Sequence, residues 1–293
     1  MPSLSGPVKC ALIPCKGQNF IPLIKFMSHL ITLMYHSIYS NDDEWKQIKP
    51  EDQPYALHID TFNLHMDYLK SNAFNIVDPN DYLTSQNLPD NLPGKSVLIT
   101  FDDGHIGFYK YAFPSLIQRH LSAIFFITSD LINQPKPTEY CSWSQLKEMA
   151  DAGMSIQSHG KSHDFFADMN HQTSTLEFKT SLKEIEEKTD SKVSAISFPG
   201  GRYSQKNIQC GQLIGYSHFF TSDFGFNKTG DLINGGVFFR HAIRVNTDLP
   251  RFINLLNISG TEYYKSKTIF LVKKMLKLII GNKNYHRLYK FIS

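Results

Sequence analysis

Short apolar runs alternate with segments of helical period through most of this 293-residue chain. Leu30–Tyr35, Phe74–Val77, Val97–Phe101, Ser122–Thr128, Met154–Ser158, Val193–Phe198, His218–Thr221 and Phe238–Val245 have the β-branched and aromatic content of strands. Within one of them, Ala123-Ile-Phe-Phe-Ile127 is apolar at consecutive positions, as a strand covered on both faces requires. Between the runs, Ile59–Ser71 sets Phe62, Met66 and Leu69 on one helical face, and Ser144–Ala152 turns Leu146 and Met149 inward before Gly153. Tyr109–His120, Thr175–Thr189, Gln205–Leu213 and Leu249–Asn257 read as further helices. Tyr39–Asp52, with Asn41-Asp42-Asp43-Glu44 as a loop, and Pro79–Gly94 read as polar connections. Strands and helices in alternation predict an α/β fold with a parallel sheet, open or closed into a barrel, and the number of strands favours the barrel.

The two ends depart from this pattern. Residues 1–26 hold several prolines and glycines without a sustained period, so they read as an irregular extension, with Met27 an expected alternative start. A catalytic domain is expected over 27–260. Residues 261–293 form a basic amphipathic helical segment with eight Lys/Arg against the single Glu262, a local charge of +7. That segment is expected either to dock on a membrane surface or a partner, or to pack its apolar face on the barrel.

The whole chain carries only +3, which gives no reason to expect a nucleic-acid partner. Cys10, Cys15, Cys141 and Cys210 are too few and too scattered for a disulfide framework or a structural zinc site. No apolar run has membrane-spanning length, and no signal peptide is recognised. A cytoplasmic protein, or one peripheral to the inner face of a membrane, is therefore expected.

Chemistry concentrates where strands end. Val97–Phe101 runs into Asp102-Asp103-Gly104, two adjacent carboxylates that a regular strand would send to opposite faces. Ser158 is followed by His159 and His163, whose i, i+4 spacing would share a face if the segment were helical. Both pairs follow the C-terminal ends of predicted strands, the rim on which α/β barrels build their active sites. Two histidines and one aspartate make a three-ligand set with open positions, as in catalytic metal sites, and leave the second aspartate free to accept a proton.

Thr100-Phe101-Asp102-Asp103-Gly104 together with His159-Gly-Lys-Ser-His163 resembles the polysaccharide deacetylase (NodB homology) family, carbohydrate esterase family 4. Met34-Tyr35-His36-Ser37-Ile38 resembles the opening strand of its exopolysaccharide poly-N-acetylglucosamine deacetylase branch. Trp143-Ser-Gln-Leu-Lys-Glu-Met149 and Phe198-Pro199-Gly200-Gly201 also fit that family. The resemblance implies a distorted (β/α)7-type barrel and hydrolytic N-deacetylation of an N-acetylhexosamine polysaccharide or oligosaccharide, with release of acetate. It assigns Asp102 as general base, and Asp103, His159 and His163 as ligands of a divalent metal, usually Zn2+, with Co2+ or Ni2+ as alternatives. It also implies an oxyanion donor near Gly200. His241 is the best match to the family's general acid, Tyr203 and Trp143 are candidates to stack on sugar, and His36 is expected to line the site, with His105 peripheral.

One departure stands out. Many members have an arginine two residues before the proline of the third motif, where this chain has Ser197; Arg202, Arg240 and Arg244 are candidates to replace it. The alternatives are another C–N hydrolase on the same barrel, acting on a small substrate, or a catalytically weakened glycan-binding module.

Overall fold

The computed structural model describes residues 29–84, 95–134, 139–228 and 236–257, and from the tail 264–265, 267–272 and 275. The expected extension 1–26 lies outside these residues. The strands that carry the fold are β1 (His29–Tyr35), β2 (Lys95–Asp103), β3 (Ile124–Ile127), β4 (Ser155–Ser158), β5 (Ala195–Ser197) and β6 (His218–Phe220). A last strand, β7, is broken into Val237–Phe238 and His241–Ala242. All pair in parallel in the order β1-β2-β3-β4-β5-β6-β7.

The two halves of β7 reach opposite edges of this sheet. Val237 pairs with Phe219 of β6, whereas His241 pairs with Leu33 of β1, so one short segment links the last strand to the first. The single strand expected over Phe238–Val245 is thus interrupted at Phe239-Arg240. Closing a sheet of short strands requires such a bend.

The period-two alternation of β2 separates two cores. Leu98 points into the barrel with Leu30, Ile124, Phe126, Phe220 and Phe238. Val97, Ile99 and Phe101 point outward, to a larger layer filled by the helices. In that layer the Phe101 and Phe125 rings stack at 4.6 Å between centroids. The connecting helices are Ile59–Ser71, Trp143–Asp151, His171–Thr189 and Gln205–Ile214, each within a few residues of its expected span. The expected helix Tyr109–His120 differs: Phe108–Ala112 is a π-helical turn, followed by an α-helix only over Phe113–Gln118. Two expected connections contain helices. Asn41 caps Asp42–Gln47 by accepting from the Asp43 and Glu44 amides, and Pro79–Thr84 sends Tyr82 and Leu83 against the inner core. The acidic run at 42–44 is a helical first turn, where negative charge meets the positive end of the helix dipole.

Buried histidines make this fold acid-sensitive. His65 is fully buried, stacks on Phe252 at 3.9 Å, accepts at Nδ1 from the Tyr35 hydroxyl and donates from Nε2 to the Thr247 carbonyl. Burial pulls the pKa values of His65, His218 and His241 from 6.5 down to about 4. Each is neutral when folded but titrates near 6.5 when unfolded, so falling pH protonates the unfolded chain first. The stability is present above pH 6.5 and is lost at roughly 1–2 kcal/mol per group by pH 5. The urea midpoint is expected to fall steadily from pH 7 to pH 5; a flat midpoint would contradict this account.

Candidate active site

The end of β2 separates its two carboxylates by direction. Asp102, in register with Phe126, points into the barrel. There the Arg240 guanidinium meets it as a fork, Nη1 on Oδ1 and Nη2 on Oδ2, each at 2.7 Å. Arg240 is 1% exposed and arrives from the break in β7. Its remaining donors are satisfied by Ser197 Oγ at 2.7 Å, the Thr221 carbonyl at 3.0 Å and Thr100 Oγ1 at 3.3 Å. Burial pushes the Asp102 pKa up, but the charge and hydrogen bonds of Arg240 outweigh it, and the net shift is downward. Asp102 is therefore held as a carboxylate inside a pocket that would otherwise protonate it.

Asp103 takes the other direction through a left-handed backbone, φ +79, followed by Gly104 at φ +93. A non-glycine residue in that region is strained and persists only where its surroundings hold it. Its Oδ1 lies 3.1 Å from His159 Nε2 and 3.1 Å from His163 Nε2, and its Oδ2 lies 2.9 Å from His36 Nε2. Burial disfavours its charge, yet His36, His163 and His159 together hold its pKa well below the usual carboxylate value. The His36 pKa, which burial alone would lower, is raised by Asp103 to about 9.

The two histidines converge without a helix. Residues 159–163 form a tight loop, with Gly160 at φ +82 and His163 at φ +70, that brings the imidazole centroids to 5.2 Å. Glu177, a buried residue of the helix His171–Thr189, fastens this loop by accepting from the Lys161 and Ser162 amides at 2.7 and 2.9 Å. The Ser197 carbonyl lies 2.7 Å from His159 Nδ1, the hydrogen bond that leaves Nε2 as a lone-pair donor. One Asp103 oxygen and two imidazole nitrogens lie within 4.8 Å of one another, and Asp103 Oδ1 is buried with no hydrogen-bond partner. One carboxylate oxygen and two imidazole nitrogens converging on one point are a donor set that suits a divalent cation.

Residues 90–219 match the family model for polysaccharide deacetylase. The Bacillus subtilis (strain 168) protein carried under the name polysaccharide deacetylase YxkH is 30% identical over 218 residues, spanning 73% of this chain and 70% of its own. This chain belongs to the polysaccharide deacetylase family. It is accordingly a hydrolase of carbon–nitrogen bonds whose substrates are N-acetylated glycans. The fold agrees with that of the Streptococcus pyogenes deacetylase PplD, at a TM-score of 0.68 and 23% identity over 78% of this chain and 98% of that one. IcaB from Ammonifex degensii aligns with a TM-score of 0.62 and 24% identity over 78% of this chain and 96% of that one.

In this polysaccharide deacetylase the cluster gathers Asp102, Asp103, His159, His163 and His36. Of the three arginines considered for the Ser197 departure, only Arg240 reaches Asp102, and Ser197 Oγ bridges the two, 3.3 Å from Asp102 Oδ2. Arg202 pairs with Asp168, and Arg244 lies over the Tyr55 ring.

His241 is not brought to the cluster. It shares the outward face of Leu33, against Phe224 and Phe226. The residue before it, Arg240, takes the inward position, so alternation turns His241 away. Tyr203 stacks on the core residue Phe198 at 4.9 Å, and Trp143 donates to Asn133 from the start of its helix. Gly200 sits in the turn Pro199–Gly201 at φ +60, where a Cβ would come within 2.7 Å of Phe165. Sequence reasoning missed Glu177 and Phe165. Glu177 carries no local signal, because only the fold brings its helix under the histidine loop. Replacing Glu177 by Gln is expected to weaken divalent-metal affinity by about 10- to 100-fold, the range seen when outer supports of a metal site are lost. Isothermal titration calorimetry with Zn2+ would measure it, and an unchanged affinity would remove Glu177 from the site.

Proposed function

We propose that this enzyme removes acetyl groups hydrolytically from N-acetylhexosamine residues of a glycan chain, using a divalent metal, Zn2+ first among candidates. The observation that carries the reading is the opposite orientation of two adjacent carboxylates. Asp102 faces an arginine fork and Asp103 faces two imidazoles. Asp103, His159 and His163 would hold the metal, which when bound supplies a Lewis acid for the amide carbonyl and lowers the pKa of water.

Asp102 accepts the proton of the attacking water, and Arg240 keeps it ionised for that task. His36 holds Asp103 Oδ2, so that Oδ1 faces the imidazoles. The Gly200 amide is the candidate donor to the developing oxyanion. With His241 turned outward, the proton gained by Asp102 is the one available to the departing nitrogen. His241→Phe is then expected to keep kcat within about threefold of the parent enzyme, since an aromatic ring fits between Phe224 and Phe226. A loss above 100-fold with the fold intact would restore His241 as the acid.

Phe165 is the aromatic we assign to sugar contact in place of Tyr203. It lies two residues beyond His163, is 39% exposed, and packs against the Gly200 turn. Its ring is backed by the Arg202 guanidinium at 4.3 Å, itself fixed to Asp168. Phe165→Ala is expected to raise KM for an oligosaccharide about tenfold with kcat little changed, and Phe165→Tyr to restore it.

The deciding experiment measures acetate release from β-1,6- and β-1,4-linked N-acetylglucosamine oligosaccharides, with and without a chelator. Release that stops with chelator and returns with Zn2+ supports the reading. Release unaffected by chelator would remove the metal from it, and no release from either glycan would remove the substrate class.

A further inference from the structure

A second wall of the active-site mouth is built on the side away from Phe165. The short parallel pair Ser37–Tyr39 and Ala56–His58 sets Ser37 opposite Ala56. The residues just before them, His36 and Tyr55, therefore stand side by side, with ring centroids 6.0 Å apart. The segment that leaves β7 runs past both. The Ile243 amide donates to the Met34 carbonyl and the Val245 amide to the Pro54 carbonyl, which fixes the backbone on either side of Arg244. The Arg244 guanidinium covers the Tyr55 ring at 4.7 Å, and its Nη2 donates to the Tyr55 hydroxyl at 3.3 Å. Arg244 is exposed and Tyr55 is half-buried.

Asp103 relates this wall to the one that carries Phe165. His36 meets Oδ2 at 2.9 Å and His163 meets Oδ1 at 3.1 Å, and the two oxygens of a carboxylate diverge. Tyr55 lies beyond His36, and Phe165 lies two residues beyond His163. Each aromatic ring carries a guanidinium, Arg244 on Tyr55 and Arg202 on Phe165. We propose that Arg244, steadied on Tyr55, binds the sugar next to the reacting one, on the side opposite Phe165. The proposal rests on the deacetylase reading above and extends it. An enzyme that grips the chain on both sides of the acetamide acts on internal residues of a glycan, not at chain ends alone. The guanidinium suits this ligand, because sugar hydroxyls and acetamide carbonyls are neutral acceptors and arginine presents several N–H donors in a fixed plane. Stacking on Tyr55 sets that plane before the glycan arrives, which lowers the ordering cost of binding.

Acetate release from N-acetylglucosamine oligosaccharides, from dimer to hexamer, tests it. Arg244→Ala should raise KM for the hexamer about tenfold and leave kcat within about threefold, the loss of a hydrogen bond from a charged donor. The dimer can sit on the Phe165 side alone, so its KM should rise much less. Arg244→Lys should recover part of the loss. Combined with Phe165→Ala, the two losses should multiply to about 100-fold for the hexamer, as distant contacts on one ligand do. Arg244→Ala should keep the parent thermal midpoint, since the side chain is exposed. An unchanged hexamer KM overturns the proposal. So does an equal loss on dimer and hexamer, which would make the wall a brace for His36, or losses that fail to multiply, which would put both residues on one side. A parent that releases no acetate from any of these sugars refutes the deacetylase reading by itself. Calorimetric titration of the hexamer then decides the wall separately: about tenfold weaker binding to Arg244→Ala than to the parent upholds it. Equal binding, or none to the parent, overturns it.

Discussion

Asp102→Asn and Asp103→Asn are expected to abolish deacetylation alike and to differ in metal content. Asn at 102 keeps size and shape but cannot accept the proton, so kcat should fall by about 10³-fold or more. The ligands Asp103, His159 and His163 are untouched, so Zn2+ should still bind at one equivalent. Asn at 103 removes the negative charge on which both imidazoles converge at 3.1 Å. Metal affinity should drop by orders of magnitude, and activity with it. Metal analysis of the two purified variants, beside their acetate-release rates, makes the comparison. Equal metal loss in both would show that the adjacent carboxylates do one job rather than two.

Arg240→Met is the second large effect. It removes one partner of a buried ion pair and leaves Asp102 charged, with Ser197 Oγ, 3.3 Å away, as the closest side-chain donor among the described residues. Such a loss costs about 3–5 kcal/mol when the remaining charge stays buried. The carboxylate escapes part of that cost by taking up a proton. Its pKa is now held down by the guanidinium against burial, so removing the guanidinium moves it up. The acid limb of the kcat/KM profile should then shift to higher pH, and activity at neutral pH should fall by about 10²-fold or more. Arg240→Lys should recover only part, because an ammonium cannot reproduce the two parallel 2.7 Å contacts. A variant with lower activity but an unmoved acid limb would mean that Arg240 supports the barrel and not the base.

What the sequence disclosed follows the range of the interactions involved. Continuous apolar runs such as Ile124–Ile127 and the one-sided pattern of Ile59–Ser71 report local burial, and both elements lie where the pattern placed them. Asp102, Asp103, His159 and His163 were legible because each pair sits in one short segment after a strand. Arg240 was one of three candidates, since nothing near residue 240 says that β7 breaks there and turns a guanidinium inward. The same break explains His241, whose attraction as an acid lay in its position in the chain and whose ring faces the outer layer. Glu177 and Phe165 depend on which helix and loop come together in space, which composition and period do not encode. At 159–163 the spacing pointed to convergence by a helical turn, and the chain achieves it with left-handed residues at 160 and 163.

The break in β7 has a further consequence for how this enzyme becomes active. A nascent chain that ends at Phe220 already holds both aspartates, both histidines and Ser197. Lacking residue 240, it would present Asp102 to a half-built pocket with no guanidinium to keep it charged. With Asp102 as the base, as proposed above, competence would arrive late in synthesis, in the same event that joins the last strand to the first. Catalytic rate would then also report ring closure, and agents that loosen the seam between β1 and β7 should silence the enzyme before the rest of the barrel unfolds.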